Sequence, residues 1–173
     1  MKKRFISILL TLSVVMGLVA STAMSANAAV RRIVGMDCPL LHDKCETVTR
    51  FDSRLEDLIE DMYDTMKNEG DGCVGIAASE IGVLKRVCVI DIGLERYELI
   101  NPVLISSKGE DISCEGCLSA PGVFVEVARP TEIEIRYDDI NGRSHTMLAE
   151  GFLARVILHE MDHLDGIVIS DYE

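Results

Sequence analysis

The segment His159-Glu160-Met161-Asp162-His163 lies in a run, residues 151–164, whose apolar periodicity predicts a helix. Side chains four residues apart lie on one helix face, so His159 and His163 can point at one metal ion. Glu160 directly follows the first histidine, where its carboxylate could take a proton from an attacking water. The segment therefore predicts metal-assisted hydrolysis, but it leaves the cleaved bond unspecified.

Elements on either side of this segment indicate an α+β fold. An earlier helix is predicted behind Ser53-Arg54-Leu55-Glu56, a capping-box pattern, and Gly70 is its predicted end. Five stretches between the two helices have strand-like patterns: 86–91, 99–105, 123–127, 131–137 and 144–148. Because the later helix is apolar on nearly every face, we expect it to lie centrally, with antiparallel strands around it.

Residues 1–28 have the pattern of a secretory signal peptide. Three basic residues are followed by an apolar run over 5–20 and then by Ala26-Asn27-Ala28, a small-x-small cleavage pattern. We therefore expect an exported protein. We prefer export to an uncleaved membrane anchor because the run is short for a membrane span. Residues 29–173 are then expected to form a single domain.

The net charge of the chain indicates whether a nucleic acid could be its partner. Seventeen Lys and Arg residues stand against 29 Asp and Glu residues, for a formal net charge of −12. An acidic surface repels phosphate groups, so we expect no nucleic-acid partner.

A catalytic metal site usually needs a third protein ligand besides the two histidines. The usual position six residues after His163 is Ile169, and only ten residues follow His163, so we expect the ligand upstream. Cys117 is the best candidate, because a thiolate binds borderline metals and the metal lowers the pKa of the thiol. Taken alone, Cys117 could equally be a buried thiol, or a disulfide partner in a chain with six cysteines.

Three segments resemble the motifs of the peptide deformylase family, in the family's order and spacing. Gly75-Ile76-Ala77-Ala78-Ser79-Glu80-Ile81-Gly82 resembles G-h-A-A-x-Q-h-G, where h is apolar. Glu115-Gly116-Cys117-Leu118-Ser119 matches E-G-C-L-S, and residues 159–163 match H-E-x-D-H. The resemblance covers residues 31–170. It implies a fold in which small antiparallel β-sheets pack around a C-terminal helix that carries the third motif.

The same resemblance implies a metal site and a reaction. Cys117, His159 and His163 would bind one divalent metal ion, with iron(II) expected and zinc or nickel as substitutes. Glu160 would be the general acid/base. The reaction would be hydrolysis of the formyl group from N-formylmethionyl peptides, with release of formate.

The resemblance also assigns residues to the substrate. The backbone N–H of Leu118 and the side chain at position 80 would face the oxyanion that forms from the formyl carbonyl. The strand-like backbone near Gly75 would hold the peptide extended. Ile76 and Leu118, and also Ile157, would line an apolar pocket for the methionine side chain.

Two departures from the family modify these expectations. Glu80 occupies the family's glutamine position, and an ionised carboxylate cannot donate to an oxyanion, so we expect a weak or specialised deformylase. The chain also ends at Glu173 without the basic tail of many relatives, so we expect no stable ribosome docking. We also expect a monomer. The alternatives are an exported metallopeptidase or amidase, and an inactive peptide-binding relative.

Overall fold

Two α-helices and seven β-strands make up the part of the chain that the computed structural model describes, residues 29–93 and 95–172. The helices are α1, Ser53–Glu69, and α2, Gly151–Leu164. The strands are β1 Gly75–Ala77, β2 Val87–Asp91, β3 Arg96–Lys108, β4 Asp111–Cys117, β5 Ala120–Arg129, β6 Glu132–Asp138 and β7 Ser144–Glu150. The predicted α+β class, with antiparallel sheets and a C-terminal helix, is confirmed.

The strands form two separate antiparallel units. Five of them make one sheet in the order β1-β2-β3-β6-β7, which leaves β1 and β7 at its edges. Strands β4 and β5 pair only with each other, as a hairpin. The five predicted strands correspond to β2, β3, β5, β6 and β7. The sequence pattern alone did not predict β1 or β4, because β1 has only three residues and β4 is mostly exposed and lacks an apolar alternation. For β1, only the family resemblance implied a strand-like backbone near Gly75.

Helices cover both faces of the five-stranded sheet, and the side chains of β2 are buried against a helix on each face. On one face, Cys88 and Ile90 pack in a cluster with residues of α2. On the other face, Val87 and Val89 pack in a cluster with residues of α1. A strand buried on both sides is apolar throughout rather than alternating. The central position of α2 follows, because its apolar surface lies against this sheet.

Helix α1 begins one step earlier than its sequence pattern suggests. Asp52, not Ser53, is the N-cap residue, and its carboxylate accepts a hydrogen bond from the backbone N–H of Arg54 at 3.1 Å. Ser53 is the first helical residue, so the capping-box prediction is wrong by one position. The helix ends as predicted at Gly70, whose φ of 94° lies in the left-handed region that glycine tolerates.

Three sequence predictions concern the N-terminal segment, membrane-spanning helices and the state of the cysteines. The predicted signal peptide, residues 1–28, lies outside the described residues. No helix within residues 29–93 and 95–172 is both long and apolar enough to cross a membrane. All six cysteines lie in the described part and are free thiols there.

Removing core volume from α2 should destabilise the whole domain. The side chain of Ile157 is fully buried against the sheet, so Ile157→Ala should lower the free energy of unfolding by about 2–5 kcal/mol. Urea unfolding followed by circular dichroism measures this loss. The matched control is Leu148→Ala, because the side chain of Leu148 is 75% exposed and its truncation should change stability by less than about 0.5 kcal/mol. Equal losses in both variants would contradict the packing described here.

Candidate metal centre

Three possible metal ligands converge although they come from two distant elements. His159 and His163 lie one helical turn apart on α2, and Cys117 ends β4. One ligand atom from each of these residues lies within 4.8 Å of the other two. The sulfur of Cys117 is 3.3 Å from Nε2 of His163. A thiolate with two imidazoles is a donor set that binds divalent, borderline metal ions such as zinc.

The surroundings of these residues affect their protonation. Burial lowers the pKa of His163, which favours the neutral imidazole that a metal ligand requires. Burial and then the charge of Glu80 raise the pKa of the Cys117 thiol. With no cation nearby the thiol would stay protonated, so thiolate formation at Cys117 depends on a positive charge in the cluster.

Glu115 orients the first histidine. Its Oε2 lies 2.9 Å from Nδ1 of His159, and the guanidinium of Arg129 donates to both carboxylate oxygens at 2.8 and 2.9 Å. Burial would raise the pKa of Glu115, but hydrogen bonds from Arg129, His159 and Arg155 hold it well below its usual range. An ionised carboxylate only accepts, so Nδ1 of His159 must carry the proton. Nε2 is then the nitrogen left for a metal.

Two arginines anchor Glu115. Arg155, four residues before His159 on α2, donates to Oε1 of Glu115 at 2.7 Å. Arg129 on β5 was missed, and its Nη1 also donates to Asp162 at 2.7 Å. A signal did exist, because Arg129 continues the period-two series of buried residues that includes Val125 and Val127. An arginine in the phase of a core face indicates a buried partner.

Glu160 lies in the same site, against the backbone of β1. A Cβ atom built on Gly75 would lie 2.6 Å from Oε1 of Glu160, so only glycine leaves room for this carboxylate. The other oxygen, Oε2, is buried and has no hydrogen-bond partner in the described part of the chain. Burial first, and the neighbouring Glu80 second, raise the pKa of Glu160 well above its usual value.

Glu80 also lies among these groups, as the family motif predicts for position 80. Its Oε2 accepts a hydrogen bond from the backbone N–H of Ala77 at 3.0 Å. Its Oε1 accepts one from the hydroxyl of Ser119 at 3.1 Å and lies 3.4 Å from the sulfur of Cys117. Glu80 is only 2% exposed, so both oxygens belong to the interior of the site.

A cavity of about 400 Å³ opens over these residues. It is lined by Gly75, Glu80, Cys117, Leu118, His159 and Glu160, with Phe124, Phe152 and Val156 among its apolar walls. Ile76 and Ile157, expected as pocket linings, do not reach it. Ile76 alternates away from the cavity into the cluster beside α1, and Ile157 faces the sheet, so both side chains are fully buried.

Comparisons with known proteins agree on one family. The sequence profile of polypeptide deformylase matches residues 30–172. The peptide deformylase of Caldanaerobacter subterraneus is 44% identical over 144 residues, 83% of this chain and 89% of that protein. Peptide deformylase 1 of Bacillus subtilis is also 44% identical, over 82% of this chain and 89% of its own length. The crystal structure of peptide deformylase from Thermotoga maritima superposes with a TM-score of 0.79 at 36% identity, and the match covers 83% of this chain and 97% of that one.

These comparisons correct the expected location. The expectation of an exported protein is wrong, because the chain matches bacterial peptide deformylases over most of its length. The matched segment begins only after residues 1–28.

The contacts of Glu115 generate a prediction about metal binding. Glu115→Gln removes the charge that Arg129, Arg155 and His159 share, so we expect about 10–100-fold weaker zinc binding and a less stable fold. Competition with a chromophoric chelator measures the affinity, and urea unfolding measures the stability. Glu110→Gln, at an exposed position beside β4, is the matched control and should change neither. Unchanged zinc affinity in the Glu115 variant would rule out its orienting role.

Proposed function

The chain belongs to the peptide deformylase family, and we propose that the cavity over α2 is where it binds the N-formylmethionyl end of a peptide. Members of the family are metal-dependent hydrolases that remove the formyl group and use one divalent metal ion. The convergence of Cys117, His159 and His163 beneath a cavity carries the assignment of the site. Residues 29–173 would form a single catalytic domain.

Cys117, His159 and His163 would hold the metal ion. The fit rests on the donor chemistry, one thiol and two imidazoles, and on Glu115, which leaves Nε2 of His159 available. When bound, the ion makes a water molecule more acidic and polarises the formyl carbonyl. Iron(II) is expected from the family, and zinc or nickel also suit this donor set.

Glu160 would move the proton. In its ionised form, Glu160 can accept a proton on its unpartnered Oε2 from the attacking water and pass it to the amine that leaves. The close approach of Gly75 limits where this carboxylate can lie, so its position relative to β1 is well defined. The amine leaves as a neutral group because Glu160 returns the proton that it took.

The peptide would bind along the edge strand β1. An edge strand has backbone N–H and C=O groups with no neighbouring strand, and an extended peptide can pair with them. Gly75 belongs to this edge and lines the cavity, whereas the Ile76 side chain is buried in the core and the N–H of Ala77 already donates to Glu80. The backbone N–H of Leu118 would donate to the oxyanion that forms from the formyl carbonyl.

Glu80 would limit the rate. The family's glutamine donates its amide N–H towards the oxyanion, and Glu80, when ionised, has no proton to donate. A negative charge at this position also repels an oxyanion. We therefore expect slow turnover or a specialised substrate.

The protein's other partners follow from its charge. With a net charge of −12 it has little electrostatic attraction for nucleic acid, and we expect neither nucleic-acid binding nor stable docking on the ribosome. We expect it to act as a monomer. The alternatives of a metallopeptidase or amidase and of an inactive peptide-binding relative find no support in the comparisons.

The role of Glu160 can be tested directly. Glu160→Gln keeps the shape of the side chain but removes the proton acceptor, so formate release from formyl-Met-Ala should fall by about 10²–10⁴ while zinc stays bound. Metal analysis on the same sample separates the two effects. Glu126→Gln, at an exposed position on β5, is the control for the change in charge. Release of free methionine from unformylated Met-Ala by the wild type would instead indicate a peptidase.

For Glu80 we expect a substitution to raise the rate of formate release, whereas the substitution of Glu160 should lower it. Glu80→Gln restores a donor to the oxyanion, so turnover of formyl-Met-Ala at saturating metal should rise, by up to about 10²–10³. Formate release measured alongside the wild type and Glu126→Gln tests this. A lower turnover in the Glu80 variant would show that the carboxylate assists the reaction.

A further inference from the structure

We infer that Glu80 is itself a ligand of the metal ion, so that Cys117, His159, His163 and Glu80 form a four-coordinate site that is closed at rest. This inference rests on the proposed metal site, but not on the deformylase reaction. Catalytic sites of this type usually have three protein ligands and an open fourth position for water or substrate. In this chain the fourth position would be filled by a protein carboxylate, which water or substrate must displace.

The distances around Glu80 carry the geometric argument. Oε1 of Glu80 lies 3.4 Å from the sulfur of Cys117 and 3.7 Å from Nε2 of His163. Those two ligand atoms are themselves 3.3 Å apart. With metal–ligand distances of about 2.0–2.3 Å, the ligand atoms of a tetrahedral site lie roughly 3.4–3.6 Å from one another. Oε1 of Glu80 therefore lies about where another ligand atom would.

The charge of the site supports the same conclusion. Glu80 is 2% exposed, and within the described ranges no lysine or arginine forms an ion pair with it. His163, at 3.7 Å, is its only potentially cationic partner within 4 Å there. Buried carboxylates without such partners commonly bind metals. A thiolate at Cys117 and a carboxylate at Glu80 would together balance the charge of a divalent ion.

Backbone and side-chain contacts already hold the carboxylate in place. The N–H of Ala77, at the end of β1, binds Oε2 and directs Oε1 towards Cys117 and His163. The hydroxyl of Ser119 donates to Oε1 at 3.1 Å, and a carboxylate oxygen has a further lone pair for a metal. The ligand is thus oriented by the strands before any metal binds.

The inference can be tested without measuring catalysis. The full chain is loaded with cobalt(II), whose absorption spectrum reports both thiolate ligation and coordination number, and is titrated with thiocyanate, which binds an open metal position. The wild-type spectrum should resist thiocyanate, whereas that of Glu80→Gln should change on its addition. Glu126→Gln should behave as the wild type, because it changes the charge at an exposed position.

Zinc affinity supplies a second measurement. Glu80→Gln should bind zinc at least about 10-fold more weakly than the wild type and Glu126→Gln in chelator competition. A crystal structure of the zinc-loaded wild type should place Oε1 of Glu80 about 2.0–2.2 Å from the ion. A distance above about 3 Å, or equal thiocyanate responses in wild type and variant, would overturn the inference and leave the three-ligand site intact. A different result would contradict the proposed three-ligand site. If Cys117 does not bind the metal ion, Cys117→Ser would leave the thiolate band of the cobalt spectrum unchanged.

Discussion

The carboxylate of Glu115 receives hydrogen bonds from Arg129 on β5 and from Arg155 and His159 on α2. These contacts matter because, among the residues that the structure describes, the hairpin of β4 and β5 forms no backbone pairing with the main sheet. The hairpin carries Cys117 and the helix carries the two histidines. The buried network therefore fixes Cys117 relative to the two histidines with which it would share a metal ion, and a fully satisfied network of this kind is rigid.

Local patterns in the sequence predicted much of this arrangement. The spacing of His159 and His163 specifies a shared helix face, because helix geometry allows no other outcome once the helix forms. The family motif around Cys117 predicted a third ligand, and the structure brings that sulfur to within 3.3 Å of His163. Local patterns did not predict the buried ion pairs of the site, because these pairs join residues that are distant in the sequence. Arg129 is buried only because Glu115 and Asp162 meet it across 14 and 33 residues of chain.

The failed predictions have similar physical causes. Ile76 looked like a pocket residue because it lies in the first motif, but side chains alternate across a strand and its neighbour Gly75 faces the cavity. The sequence pattern did not predict strand β1 because three residues give no periodicity. In residues 1–28, composition alone resembled a leader, and the relatives of the chain contradicted that interpretation.

The short edge strand β1 has a consequence for how selective such a site can be. A sheet edge accepts any extended chain, since backbone groups are common to all peptides. With only three residues, this edge can align a short stretch of peptide before contact is lost. Under the proposed pairing along β1, only the few peptide residues nearest the cavity would contact this edge, and the residues beyond them would make no contact with it. Discrimination between peptides would then depend on the side chains that enter the cavity rather than on the backbone pairing.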